Sequence, residues 1–558
     1  MKIISLIKCK KYGMTSPKTL YITDYIKKRG RIMLKTALIF QNHMTLQRDK
    51  EIPVWGTADP GASVSVSLQG KTADTAADSE GKWKVFCGPF DTSFREEMTI
   101  VSGSDKIILG DIQVGEVWLA GGQSNMEFHM RYDADMAEEK KICQNDNIRF
   151  FDYPEVSYAG QIDEADFLSQ YGFWRKAEPD QLERFSAVAY YFAKDLQRKY
   201  NIPVGIVGCN WGGTPACAWM PEDMVREGGG QIYLDEYEKS LRNLDLQEYE
   251  RNFRNNPMNW RTDQLADPVG DLMMFGCTPE EFQKKMEELG ADASESDPAE
   301  FQPVMGPKYE RRPCGLYESM LKQVAPYGIR GVIWYQGETD GDCHPEVYKT
   351  LFPAMIRSWR ALWKEELLFL FVQIAPLEQW MDCCGKNYVE IRKAQQHAAE
   401  TIPDTGMAVI TDVGMQFDIH PKKKQPVGHR LALLAENKVY GDGNVLCEAP
   451  SLKEIQVEEG KVVLTFDNAG DGLYLTENVP YGQVVGKETL GGLRIFQNGQ
   501  ELKMEKMKAA ARGNQVIVTG AEIRSSVPTQ VRLAQTGWYL VNLYNSAGIP
   551  ARPAEVNT

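Results

Sequence analysis

The stretch Val117-Trp118-Leu119-Ala120-Gly121-Gly122-Gln123-Ser124-Asn125-Met126 runs from a block of apolar residues through two glycines to a serine. A short continuous apolar run bounded by glycine reads as a strand buried on both faces, as in a parallel sheet. The glycines permit a tight turn, and a serine opening the next helix has its hydroxyl presented at the sheet edge. Its backbone N–H then lies at a helix N-terminus, where a developing anion is stabilised. An N-cap serine produces the same local pattern. The GxSxG elbow does not apply, because Met126 stands where its second glycine would be.

Working outward, further apolar runs occur at Val204-Gly205-Ile206-Val207, at Gly331-Val332-Ile333-Trp334-Tyr335, and over residues 367–374 and 407–411. Helical periodicity fills the gaps at 182–200, 347–363 and 388–399. Alternating strands and helices predict an α/β fold with a parallel sheet covered on both faces, here over residues 113–445. Between 221 and 313 the rhythm breaks into an acidic, helix-prone insertion, with helices expected over 235–254 and 279–289 and a loop over 291–298. Residues 33–112 alternate polar and apolar, as in Ser63-Val64-Ser65-Val66-Ser67-Leu68, and predict an N-terminal β-sandwich-like domain. Alternation returns over 446–558, at Lys461-Val462-Val463-Leu464 and Gln515-Val516-Ile517-Val518, and predicts a C-terminal β-domain.

A chain of 558 residues suits two to four domains. Its net charge of −14 argues against a nucleic-acid partner, which needs a basic surface. No run approaches the roughly 20 apolar residues of a membrane span. Residues 1–32 carry nine Lys and Arg against Asp24 alone and read as a disordered basic extension. Their apolar run, Ile3 to Ile7, is too short for a secretory signal. The 11 cysteines contain no CxxC pair, so no zinc site is expected, and free thiols point to a reducing, cytoplasmic compartment.

Ligands of open α/β sheets bind beyond the carboxyl ends of strands. Four segments stand there: Gln123-Ser124-Asn125, Asn210-Trp211-Gly212-Gly213-Thr214, Gln336-Gly337-Glu338, and Asp418-Ile419-His420-Pro421. Of six histidines, His420 has an acid two residues before it, as an imidazole base requires, and His344 is a rival. Trp211, Trp219 and Trp380 could stack on a sugar ring or fill the core.

Together with Gly115-Glu116-Val117-Trp118, these motifs resemble, in order, the sialate O-acetylesterases, carbohydrate acetylesterases of the SGNH-hydrolase superfamily. The resemblance extends to Met44-Thr45-Leu46-Gln47-Arg48-Asp49 and to Asn542-Leu543-Tyr544-Asn545-Ser546, and so covers most of the chain from Met33 to Pro550. It implies a flavodoxin-like three-layer core and a serine esterase that needs no metal or organic cofactor. Ser124 would be the nucleophile and His420 the base, oriented by Asp418, with Asp412 and Glu338 as alternatives. The oxyanion hole would combine the Ser124 N–H, a Gly212 or Gly213 N–H and the Gln336 side chain. Gln123, Asn125, Trp211, Thr214 and Glu338 are the expected substrate contacts. The expected partner is an acetylated carbohydrate, above all O-acetylated sialic acid. Acetylated xylan is the rival substrate, and a non-catalytic carbohydrate-binding protein is the rival class.

Overall fold

The computed structural model describes residues 33–163, 172–256, 259, 265, 267–288, 305–478 and 484–558. The expected basic extension (1–32) and the loop expected at 291–298 lie outside them. The described residues divide into two compact units, one of residues 33–37, 54–87 and 98–108, the other of residues 38–53, 88–97 and those described from 109 on.

The smaller unit is built from antiparallel strands. Ser63–Leu68 pairs with Lys71–Ala76, and residues 65–67 pair with 99–101. Val64, Val66 and Leu68 are buried while the serines between them face outward, the two-residue period of a half-buried strand.

The larger unit is organised by one mixed sheet. The strands on its main path are β1 (Asp105–Gly122, of which residues 109–122 belong to this unit), β2 (Asn145–Asp152), β3 (Arg175–Ala177), β4 (Val204–Asn210), β5 (Gly331–Tyr335), β6 (Leu368–Gln373) and β7 (Thr405–Val409). They lie in the order β3-β2-β4-β1-β5-β6-β7. Every neighbouring pair is parallel except β3 with β2. All residues of β4, β5 and β7 are buried, which explains why the apolar runs do not alternate. Strands β2 and β3 escape a search for apolar runs, because Asn145, Asp146, Asn147 and Arg149 interrupt the first and Arg175 and Lys176 begin the second.

Six helices matter for the site: α1 (Ser124–Glu127), α2 (Ala187–Tyr200), α3 (Glu338–Cys343), α4 (Pro345–Trp363), α5 (Tyr388–Thr401) and α6 (Gln425–Lys438). Helix α2 packs on α6, and α4 packs on α5. Ser186 caps α2 by accepting a hydrogen bond from the Ala189 N–H, which starts the helix later than the periodicity from residue 182 suggests. In the insertion, the expected helix 235–254 is two helices, Gln231–Arg242 and Leu246–Asn255. The break falls where Asp245 turns its carboxylate onto the N–H groups of Gln247 and Glu248 and caps the second helix.

Two of the flanking motifs have structural work. The Glu116 carboxylate is fully buried and is neutralised by Arg48 and Arg330, each 2.6 Å away. Asn545, also fully buried, donates to the carbonyls of Glu448 and Asn468 and accepts from the N–H of Ile549. The described residues of 446–558 include two four-stranded sheets around Leu464, Phe466, Ile495, Val516 and Val531, and a two-stranded pair of Tyr474–Leu475 with Leu543–Tyr544. They belong to the larger unit, and Arg392 and Arg430 of the helical layer donate to the carbonyls of Thr536 and Gly548.

Candidate active site

Parallel register brings three distant motifs to one edge. Gly122 of β1 lies opposite Asn210 of β4 on one side and Tyr335 of β5 on the other. The segments that follow each strand therefore emerge together at the carboxyl end of the sheet. Gly122 is obligatory there: its φ is +140°, and a Cβ would stand 2.2 Å from the Tyr335 carbonyl oxygen. The loop after β7 supplies the fourth motif.

Ser124 opens α1 and meets His420 directly, with 2.9 Å between Ser124 Oγ and His420 Nε2. Both are buried, and burial together with the charges of Lys424 and Lys422 holds the imidazole pKa well below its usual value. The ring is therefore neutral at pH 7 and able to accept a proton. Trp380 packs edge-on against it, 5.2 Å between ring centroids.

Asp418 is the carboxylate nearest the other face of His420. Its Oδ1 accepts from the His420 backbone N–H at 2.8 Å and stands 3.8 Å from Nδ1, while Oδ2 pairs with Lys422 at 2.9 Å. Nδ1 itself is buried with no hydrogen-bond partner among the described residues. The alternative acids are committed elsewhere. Asp412 forms a bidentate pair with Arg430, and Glu338 accepts from Asn125 at 2.6 Å. His344 instead contacts Glu236 and the Tyr233 ring.

Asn125 is a buried tie. Its Nδ2 donates to Glu338 and to the Ile419 carbonyl, one residue before His420, and its Oδ1 accepts from Lys424 Nζ. Desolvation pushes the Glu338 carboxyl up and the Lys424 ammonium down. Lys424 carries no sequence signal beyond following His420 by four residues, because its importance comes from burial.

The expected oxyanion donors are distributed differently from the sequence reading. Gln336 is fully buried and does not line the cleft. Its Nε2 donates to Asp340 and to the Thr214 carbonyl, and its Oε1 accepts from Tyr348. The Gly212 N–H donates to the Glu127 carboxylate at 2.6 Å. The amides of Ser124 and Gly213 make no hydrogen bond to the described residues.

Ser124 and His420 open into a cavity of about 470 Å³. Gln123, Trp211, Gly212, Gly213 and Trp380 line it. Asn125, Thr214 and Glu338, expected as substrate contacts, lie behind its wall, and Trp219 is a core residue donating to Thr214 Oγ1. Gln123 is mostly buried, its Oε1 accepting from the N–H groups of Gly337 and Thr339. Sequence reading missed Arg311, Met273 and Met274, which the insertion contributes to the lining.

The chain matches known proteins over most of its length. Residues 304–435 match the family described as carbohydrate esterase, sialic acid-specific acetylesterase. Mouse (Mus musculus) sialate O-acetylesterase is 25% identical, over 80% of this chain and 82% of that protein. The human (Homo sapiens) enzyme is 23% identical, over 78% of this chain and 77% of its own length. In structure the chain is similar to a carbohydrate acetylesterase from Xanthomonas citri, with 27% identity and a TM-score of 0.68, covering 94% of this chain and 99% of that one. With sequence similarity to sialate O-acetylesterases over four fifths of its length and a fold similar to that of a carbohydrate acetylesterase over nearly all of it, the chain is similar throughout to carbohydrate acetylesterases, and its residues 304–435 match the sialic acid-specific acetylesterase family.

Proposed function

We propose that the chain hydrolyses O-acetyl esters of carbohydrates, with O-acetylated sialic acid as the substrate class and an SGNH-type Ser-His mechanism. The observation that carries this reading is the 2.9 Å contact of Ser124 Oγ with a buried, neutral His420, open to a sugar-sized cavity.

Ser124 Oγ attacks the acetyl carbonyl carbon as its proton passes to His420 Nε2. The tetrahedral oxyanion is received by the unengaged N–H groups of Ser124 and Gly213. The imidazolium draws Asp418 across the 3.8 Å gap to Nδ1 and then protonates the departing sugar oxygen, leaving an acetyl-serine. Water, deprotonated by the same imidazole, releases acetate. Trp211 and Trp380 offer flat faces for the sugar. A purely sugar-binding role is disfavoured, since a desolvated Ser-His pair contributes nothing to binding that simpler polar groups would not.

The test is acetate release from O-acetylated sialic acid and from acetylated xylooligosaccharides, each with wild type and Ser124→Ala. Release that disappears with Ser124 supports the mechanism; release that survives in the folded variant removes Ser124 from it. Preference for the xylan substrate would overturn the substrate class and leave the chemistry standing.

A further inference from the structure

The inserted segment returns to the core at Cys314, whose N–H donates to the Cys217 carbonyl, and places two arginines just before it. Arg312 pairs with Glu318 at 3.3 Å. Arg311 points the other way and lines the cavity that holds Ser124 and His420. Its guanidinium lies against Gly213, where a Cβ would come within 2.4 Å of Nη2. Gly213 has φ +70°, and the adjacent Gly212 stands so close to the nucleophile that a Cβ there would be 3.3 Å from Ser124 Cβ. Backbone without side chains thus lets the cation approach the reacting centre.

Among the described residues Arg311 makes no hydrogen bond and no ion pair, and its Nε is buried without a partner there. A partly buried guanidinium without a hydrogen-bonded partner is free to receive one, and its planar fork matches a carboxylate. Asp342 on the same cavity wall attracts it through space, but no acid of that wall hydrogen-bonds to it. Glu127 holds the Gly212 N–H, Asp267 caps the helix Pro268–Phe275 through the Gly270 N–H, and Asp342 accepts from Cys383 and from the Cys384 N–H. Asp382 also lines the cavity.

We propose that Arg311 is the substrate-selecting residue of this site and binds the carboxylate of an acidic acetylated sugar. The inference rests on the esterase reading above and goes further, assigning the anionic group of the substrate to one side chain. Sialic acids carry such a carboxylate and acetylated xylose units do not, so the insertion's return segment would choose between the two substrate classes.

The experiment compares wild type, Arg311→Ala and Arg311→Lys on O-acetylated sialic acid, on its carboxyl methyl ester and on acetylated xylobiose. Loss of a charge-assisted contact predicts that Arg311→Ala lowers kcat/KM for the free acid about 10–100-fold more than for the methyl ester or the neutral sugar. The loss should fall mainly on KM, with Arg311→Lys intermediate. Equal effects on all three substrates, or none on the free acid, overturn the proposal. Calorimetric binding of unacetylated sialic acid to Ser124→Ala, with and without Arg311→Ala, separates the two readings. Binding that requires Arg311 in a protein that hydrolyses no ester would keep this inference and refute the esterase. Turnover with binding indifferent to Arg311 would do the reverse.

Discussion

Replacing Gln336 by Leu separates an oxyanion donor from a structural tie. A direct oxyanion donor is worth on the order of 10²–10³ in turnover. The structure gives Gln336 other partners: Asp340 and the Thr214 carbonyl on its Nε2, Tyr348 on its Oε1. Asp340 is fully buried and keeps two further donors, Tyr233 at 2.7 Å and the Ala216 N–H at 2.9 Å. Tyr348 keeps the Gln336 backbone carbonyl at 3.3 Å. What the substitution removes is chiefly one hydrogen bond to a buried carboxylate, together with a neutral one, a cost of about 2–4 kcal/mol in stability. Burial already raises the Asp340 carboxyl above its usual range, and losing a donor to its charged form raises it again. A carboxyl with a raised folded-state pKa loses stability as pH rises through that pKa, so the deficit of the variant should widen as pH rises above the usual carboxylate range. Urea unfolding at several pH values measures the stability, and acetate release at saturating substrate measures turnover. The expected result is a lowered urea midpoint with turnover reduced less than tenfold. Turnover down a hundredfold with an unchanged midpoint would refute this reasoning and return Gln336 to the oxyanion hole.

Ser124→Ala should abolish acetate release while circular dichroism and the urea midpoint stay near wild type, because the side chain is small and its loss leaves no large void. His420→Ala should be nearly inactive whereas His344→Ala retains most turnover, since His344 reaches Glu236 and Tyr233 rather than the nucleophile; the reverse order in a p-nitrophenyl acetate assay would reassign the base. The depressed His420 pKa keeps the base form dominant in acid, so kcat/KM should hold level from pH 8 down past 6.5 before falling, and a half-maximal point at or above 6.5 would contradict the buried geometry.

Local chemistry was enough to place the strands β1, β4, β5, β6 and β7, because unbroken apolar runs between glycines leave few other conformations. It also drew attention to Ser124, a serine at a strand end, but it left His420 and His344 as rival bases, since each has an aspartate two residues before it, and the family resemblance chose between them. Strands β2 and β3 were illegible, since their burial comes from neighbours rather than from their own composition. The sequence could name donors for an oxyanion but not their partners: Gln336 turns to Asp340 and Gly212 to Glu127 because those carboxylates are folded against them from positions 4 and 85 residues away. Arg311 was invisible for the same reason. An arginine in an acidic insertion reads as surface charge, and only packing lays it on Gly213 beside Ser124 with no hydrogen-bonded counterion among the described residues. Sequence determined which groups can react. Tertiary structure decided which remain unpaired in the cleft, because hydrogen-bond satisfaction and desolvation are set by contacts between distant segments.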